Sequence, residues 1–173
     1  HTYFNLKGQN GGYVMDHVMQ VEADRYFRNT AQYVPDGAML LVEDTPFDMR
    51  APHRIDYAID TPDPQLQIMR GFSVCWVLRS QTDELARAAD LYSPRSGRGV
   101  ETWTTEPGLL TYTGRGLNER MIGKNGVPLE KFGGMLLEPL HFADSPNRPD
   151  FPSTVLRPGE RYRSVSEFRF YAK

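Results

Sequence analysis

Hydrophobic and polar positions alternate with period two over several short stretches of this chain, and that period puts successive side chains on opposite faces of a sheet. From Tyr13 to Glu22 the odd positions are Tyr13, Met15, His17, Met19 and Val21, while the even ones are interrupted by Asp16, Gln20 and Glu22. The odd face is expected to be the buried one. Near the other end, Tyr162, Phe168, Phe170 and Ala172 oppose Arg163, Glu167 and Arg169, which predicts a closing strand. Met39 to Glu43, Phe72 to Arg79, Val100 to Thr105, Leu109 to Thr113 and Met135 to Phe142 are shorter strand candidates, on their β-branched and aromatic content. Turn residues separate them, among them Gly11-Gly12, Pro35-Asp36-Gly37, Ser96-Gly97, Pro107-Gly108, Asn125-Gly126, Gly133-Gly134 and Pro158-Gly159.

Only Gln81 to Leu91 has helix-forming composition, with Glu84 to Ala89 at its centre, but sheet packing overrides so weak a preference. Thr45 to Met69 and Asp144 to Thr154, each carrying several prolines, read as long irregular loops, and such loops are usually functional. No repeat, low-complexity tract or shift in composition divides the chain, so residues 1–173 are read as a single all-β domain.

Charge narrows the function. The 173 residues carry 20 Lys and Arg against 22 Asp and Glu, a net charge of −2, with no basic run. Nucleic acid and anionic membranes, which demand a surplus or stripe of cations, are therefore not expected partners. The apolar runs Val74 to Leu78 and Met135 to Leu137 are far shorter than the roughly 20 residues a spanning helix needs. A single cysteine, Cys75, excludes an internal disulfide or a cysteine-built zinc site, and a cytoplasmic setting is the default expectation. The chain starts at His1 rather than Met, with no leader pattern ahead of it, so an upstream portion is expected to be missing.

Several strings follow one family pattern in order and at compatible spacing. They are HTYFNL at His1 to Leu6, the H-x-x-x-x-x-A-D-x-Y stretch from His17 to Tyr26, TPFDMR at Thr45 to Arg50 and SGR at Ser96 to Arg98. TTEPGLLTYTG at Thr104 to Gly114, LEPLHFADSPNRPDFPS at Leu137 to Ser153 and LRPGERY at Leu156 to Tyr162 complete the set. The chain thus resembles the aldose 1-epimerases, or galactose mutarotases, over essentially its whole length. The resemblance implies a β-supersandwich of large antiparallel sheets packed face to face. In the family the HTYFNL histidine lies near mid-chain, so the resemblance implies the C-terminal half of that fold, without the arginine and second histidine that the other half brings to the sugar site. Half a supersandwich exposes strand edges and apolar faces, so a companion N-terminal half or self-association is expected.

The implied activity is interconversion of the α and β anomers of an aldose. The anomeric hydroxyl loses a proton while the ring oxygen gains one, the ring opens to the aldehyde, the C1–C2 bond turns, and reclosure gives the other anomer. A base and an acid suffice, with no metal or organic cofactor required. By resemblance Glu138 is the general base and His1 the acid at the ring oxygen. On the residues alone, a glutamate following Met135 to Leu137 is more often solvated at a strand end, and a terminal histidine is often frayed. His17, on the apolar side of its strand, reads as a hydrogen-bonded core histidine, while His141 reads as packing or support rather than catalytic. His53 carries no signal, and Cys75 reads as a buried small hydrophobe.

Two substrate-contact positions depart from the family pattern. Where the family commonly has an aspartate in G-Y-D-H-N-F this chain has Ser73, and the glutamine often found after the EPG turn is Leu110. Both changes weaken recognition of sugar hydroxyls; Asp56 and Asp63 are candidate replacement carboxylates. The alternatives to an isomerase are a non-catalytic carbohydrate-binding or regulatory module on the same fold, and a structural subunit that completes another polypeptide.

Overall fold

The computed structural model describes residues 1–173. In chain order its elements are β1 (Tyr3–Phe4), β2 (Val18–Val21), β3 (Ala23–Asn29), β4 (Pro35–Leu41), β5 (His53–Arg54), α1 (Ile55–Ile59), α2 (Pro64–Met69), β6 (Ser73–Leu78), β7 (Ala86–Ser93), β8 (Arg98–Thr104), β9 (Gly108–Tyr112), β10 (Met135–Leu140) and β11 (Ser166–Ala172). They form a six-stranded sheet of order β1-β10-β9-β6-β3-β4 and a five-stranded sheet of order β11-β8-β7-β2-β5. Every pairing runs antiparallel. The fold is all-β, as the alternation predicts.

The period-two pattern explains how the sheets meet. Val74, Trp76 and Leu78 of β6, Leu109 of β9 and Met135 and Leu137 of β10 point inward and share one core with Met19, Val21, Ala89, Leu91 and Val100 of the other sheet. Burying an apolar side chain of this size contributes about 1.5–3 kcal/mol, so the interleaved inner faces hold the layers together. A second, smaller cluster of Phe27, Cys75, Phe142 and Phe151 lies apart from that core and includes the buried Cys75. Phe27 meets Phe142 and Phe151 at ring-centroid distances of 4.9 and 5.2 Å.

Four expectations are corrected. The helix-compatible stretch Gln81 to Leu91 is strand from Ala86 onward, paired on one side with β2 and on the other with β8. Its alanines are small enough to lie beneath the sheet, and a register shift between Arg87 and Ala89 lets Ala88 and Ala89 both be buried. Thr45 to Met69 is not irregular, for it holds β5, α1 and α2. Its prolines start structure rather than prevent it: Pro64 opens α2, and Asp63 caps that helix by accepting from the Gln65 and Leu66 amides. The stretch from Tyr13 opens with a 3-10 turn over Val14–Asp16, which buries Val14 and exposes Tyr13. The odd face is buried only from His17 onward, through Met19 and Val21. The closing strand begins at Ser166, leaving Tyr162 outside it, and its apolar face is open, with Phe170 67% exposed.

Both sheets end on the same side. β1 is the edge of one and β11 of the other, and Phe4 bridges them, its ring 5.0 Å from Phe168 and 5.9 Å from Phe170.

Candidate active site

Strand register brings the expected site residues to one surface. Tyr3 pairs with Leu136 and Phe4 with Met135, so continuing the antiparallel register backwards sets His1 across from Glu138. The side chains meet accordingly, His1 Nε2 lying 3.3 Å from Glu138 Oε2. Glu138 in turn faces Leu110 of β9, and Leu110 faces Cys75 of β6. One pleat away, Leu136, Tyr112 and Ser73 form a parallel row that Tyr3 extends. Between the two rows, Val74, Thr111 and Leu137 are buried on the other side of the sheet, so the face opposite the main core carries Glu138, Leu110, Cys75, Ser73, Tyr112 and Tyr3.

Glu138 is held between two environments. Its Oε2 is out of contact with solvent and accepts no aligned hydrogen bond, because the imidazole of His1 is near enough for an ion pair but is not oriented to donate. The side chain as a whole keeps 29% of its surface, against 71% for His1. The neighbours register the carboxylate's charge. Burial pushes the Cys75 thiol up to about 12, with the charge of Glu138 adding to it. Burial likewise raises Tyr3, with Tyr112 and Glu138 as further causes. The Tyr3 and Tyr112 rings meet edge to face at 6.2 Å, and the Tyr112 hydroxyl accepts from the Gly116 amide at 2.6 Å. A partly exposed carboxylate with no hydrogen-bond donor, beside an imidazole, can take up a proton from one ligand oxygen while a proton is delivered to another.

The remaining candidates separate. Ser73 lies on this face but in the neighbouring row, where its carbonyl accepts from the Asn29 side chain at 3.1 Å. Asp56 is engaged by Arg54 and Asp63 by the start of α2, so both carboxylates have local partners. His17 is buried and hydrogen-bonded at both ring nitrogens. His53 stacks on Tyr57 at 5.4 Å.

His141 belongs to another cluster. Its Nδ1 lies 2.6 Å from Glu106 Oε2, and the Tyr162 hydroxyl donates to Glu106 Oε1 at 3.1 Å. These residues line a cavity of about 880 Å³, which opens between the β9 and β10 ends and the 153–165 segment rather than at Glu138. We place the candidate chemistry at Glu138 because every polar atom of the Glu106 carboxylate already has a partner. Sequence reading missed Tyr3 and Tyr112; the alternation through Leu109 to Thr113, and the two-residue step from His1, are the signals that could have found them.

A profile of the aldose 1-epimerase family matches residues 1–169. The chain is 37% identical to the galactose mutarotase of Mus musculus over 98% of its own length and 48% of the relative's. It is 31% identical to the aldose 1-epimerase of Escherichia coli over 100% of its length and 50% of the relative's. A crystal structure of a GalM/aldose epimerase homologue from C. elegans superposes with a TM-score of 0.84 at 25% identity, covering 98% of this chain and 49% of that one. The chain spans about half the length of the curated relatives it matches. A match that runs from the His1 segment through β10 and into β11, with the sheets superposing as well, makes the chain a member of the aldose 1-epimerase family.

Proposed function

We propose that this chain forms part of an isomerase that interconverts the α and β anomers of an aldose by acid–base catalysed ring opening and reclosure. The observation that carries the reading is the Glu138–His1 pair, a carboxylate oxygen without an aligned hydrogen bond 3.3 Å from an imidazole nitrogen. The anomeric oxygen and the ring oxygen are bonded to the same carbon, so two groups this close can address both. Glu138 takes the proton of the anomeric hydroxyl, His1 gives one to the ring oxygen, and the C1–O5 bond breaks to leave the open aldehyde. After rotation about C1–C2, the two transfers run in reverse and regenerate both groups. General acid–base catalysis of this kind contributes about 10²–10⁴-fold. Leu110 and Ser73, both partly exposed, form the wall that meets the sugar, with Cys75 buried beside them.

The family names support an aldose as substrate, since the relatives are a galactose mutarotase and an aldose 1-epimerase. Polarimetry or exchange NMR on α-galactose, α-glucose and pentoses tests the reading. Catalysed anomerisation of at least one sugar is expected; binding without any rate increase would move the protein to the class of carbohydrate-binding modules.

We also propose that a companion N-terminal half, or a second copy, covers β1 and β11. Phe170 on the β11 edge is 67% exposed, and Val155, Leu156 and Tyr162 on the adjoining arm are 64%, 56% and 64% exposed. Open edges beside such side chains are association sites. Light scattering is expected to show a species heavier than the 19.8 kDa chain, and a stable monomer counts against this. No helix is long and apolar enough to cross a membrane. The chain's lone cysteine is compatible with a reducing compartment, and we propose a cytoplasmic setting as the default.

A further inference from the structure

We infer that His17 is a positioning residue for His1, acting through the Leu6 peptide; the inference rests on the function proposed above. β1 sets His1 opposite Glu138 through only two paired residues, Tyr3 and Phe4, too few to hold the strand by themselves. The chain just after it is held instead. The Leu6 N–H donates to His17 Nε2 at 3.2 Å, and the Leu6 carbonyl accepts from Ser96 Oγ at 2.8 Å and from Arg98 at 3.4 Å. Asn5 ties the preceding residue down by donating to the Gly12 and Gly133 carbonyls at 2.8 and 3.0 Å.

The imidazole is suited to this because its state is forced. A backbone N–H can only donate, so Nε2 must be an acceptor and the ring proton must sit on Nδ1. Nδ1 lies 3.1 Å from Asp16 Oδ1, and Asp16 is held by Lys7 Nζ at 2.8 and 2.9 Å. Lys7 follows Leu6 in the chain, so Leu6, His17, Asp16 and Lys7 close a ring of contacts. His17 has no exposed surface, which leaves no water to replace it as the acceptor for Leu6. A ring fixed at both nitrogens inside the core therefore sets where the segment carrying His1 leaves the sheet.

Two substitutions divide the ring's two bonds. Glutamine reaches about as far as Nε2 and keeps an acceptor for Leu6, whereas asparagine reaches only as far as Nδ1 and keeps a donor for Asp16. Mutarotation kinetics and Leu6 amide exchange are measured on the assembled protein for His17→Gln and His17→Asn. For His17→Asn we expect Leu6 exchange to accelerate about tenfold or more, as a locally opened amide does. In the same variant kcat is expected to fall by about 10–10²-fold with KM within about threefold, the signature of misplaced catalytic geometry. His17→Gln is expected to stay near wild type in both measurements. Should both variants fail to fold, Ser96→Ala loosens the same residue, Leu6, at its carbonyl and is expected to lower kcat severalfold at unchanged KM.

Equal losses of kcat in the Asn and Gln variants, or faster Leu6 exchange with unchanged kcat, including in Ser96→Ala, overturn the positioning role while leaving the isomerase reading intact. A wild-type protein that binds sugar and catalyses nothing overturns that reading, and with it any role for His17 in it.

Discussion

Leu110 stands directly opposite Glu138 in the β9–β10 ladder, so the side chain best placed to hydrogen-bond the carboxylate from the next strand is a hydrocarbon. The strand beyond adds Cys75 in the same row, a thiol that burial and the charge of Glu138 keep protonated. Apolar neighbours on one side and a loosely aligned His1 on the other leave the Glu138 carboxylate without a hydrogen-bond donor, while the 29% of the side chain that stays exposed is open to a ligand. A carboxylate built only to stabilise the sheet would have been given donors.

Glu138→Gln is therefore expected to preserve shape and sugar binding while lowering catalysed mutarotation by at least about 10²-fold, the low end for a general base. Binding and rate are to be measured on the same sugar. Near-normal turnover in a variant that still binds rejects Glu138 as the base.

How much of this was legible beforehand depended on how local the cause is. The strands β6, β8, β9 and β10 announce themselves by short apolar, β-branched and aromatic runs, one face of which is core. β3 was hidden by register shifts at Ala23/Arg25 and Phe27/Asn29, which spoil the period of two. β7 was hidden by alanines, whose helix preference carries no information about the strands on either side. At the site, Glu138 and His1 were recognisable from family strings, yet their contact arises from pairing between β1 and β10, distant in sequence. The link from His17 to Leu6 is of the same kind: its residue type and buried face were readable, but not the amide it serves.

Acid should weaken the fold through His17 before it does so through the carboxylates. Burial holds His17 below its usual value and outweighs the opposing bond from Asp16; Asp16 and Lys7 are the charged groups facing it. Because the folded value lies below the unfolded one of about 6.5, the unfolded chain takes the proton first. The stabilisation is complete above about pH 6.5 and is lost as pH falls through the folded value. Asp24, Asp36 and Asp48, held low chiefly by their bonds to arginine, begin to be lost only nearer pH 4, close to their ordinary value of 3.8. Urea midpoints at pH 7.5, 6 and 5 should fall in wild type and stay flatter in His17→Gln, and parallel curves would contradict this.

Two buried threonines should respond oppositely to the same substitution. Trp76 Nε1 donates to Thr111 Oγ1 at 2.9 Å, and both residues are fully buried. Thr111→Val keeps the shape but leaves the indole N–H without an acceptor, a loss of about 1–3 kcal/mol. Thr102 is equally buried, but its Oγ1 has no partner. Thr102→Val removes an unsatisfied hydroxyl and should be neutral or stabilising. Denaturant unfolding of the two variants decides it, and equal destabilisation would mean that Thr102 has an acceptor or donor of its own.

The apolar row beside Glu138 also bears on which sugar the site prefers. A site built to hydrogen-bond a hydroxyl strongly rejects an analogue that lacks it, because the site's own polar group is then left unpaired. Ser73 and Leu110 offer less to be left unpaired than aspartate and glutamine in those positions, and Leu110 offers nothing. Deoxy sugars should consequently lose less kcat/KM relative to galactose here than in a relative that carries the full polar set. Each charge-assisted hydrogen bond missing from the wall removes roughly 1.5–3 kcal/mol of discrimination, enough to reorder a substrate panel. Asp56 and Asp63 do not restore it, being engaged by Arg54 and by the α2 amides. Specificity constants for galactose, glucose and their 2-deoxy and 6-deoxy analogues measure the effect, and Leu110→Gln should steepen the preference for the fully hydroxylated sugars. A steep preference already present in wild type, unchanged by Leu110→Gln, would show that the wall takes its polar contacts from elsewhere and that neither position tunes the choice of sugar.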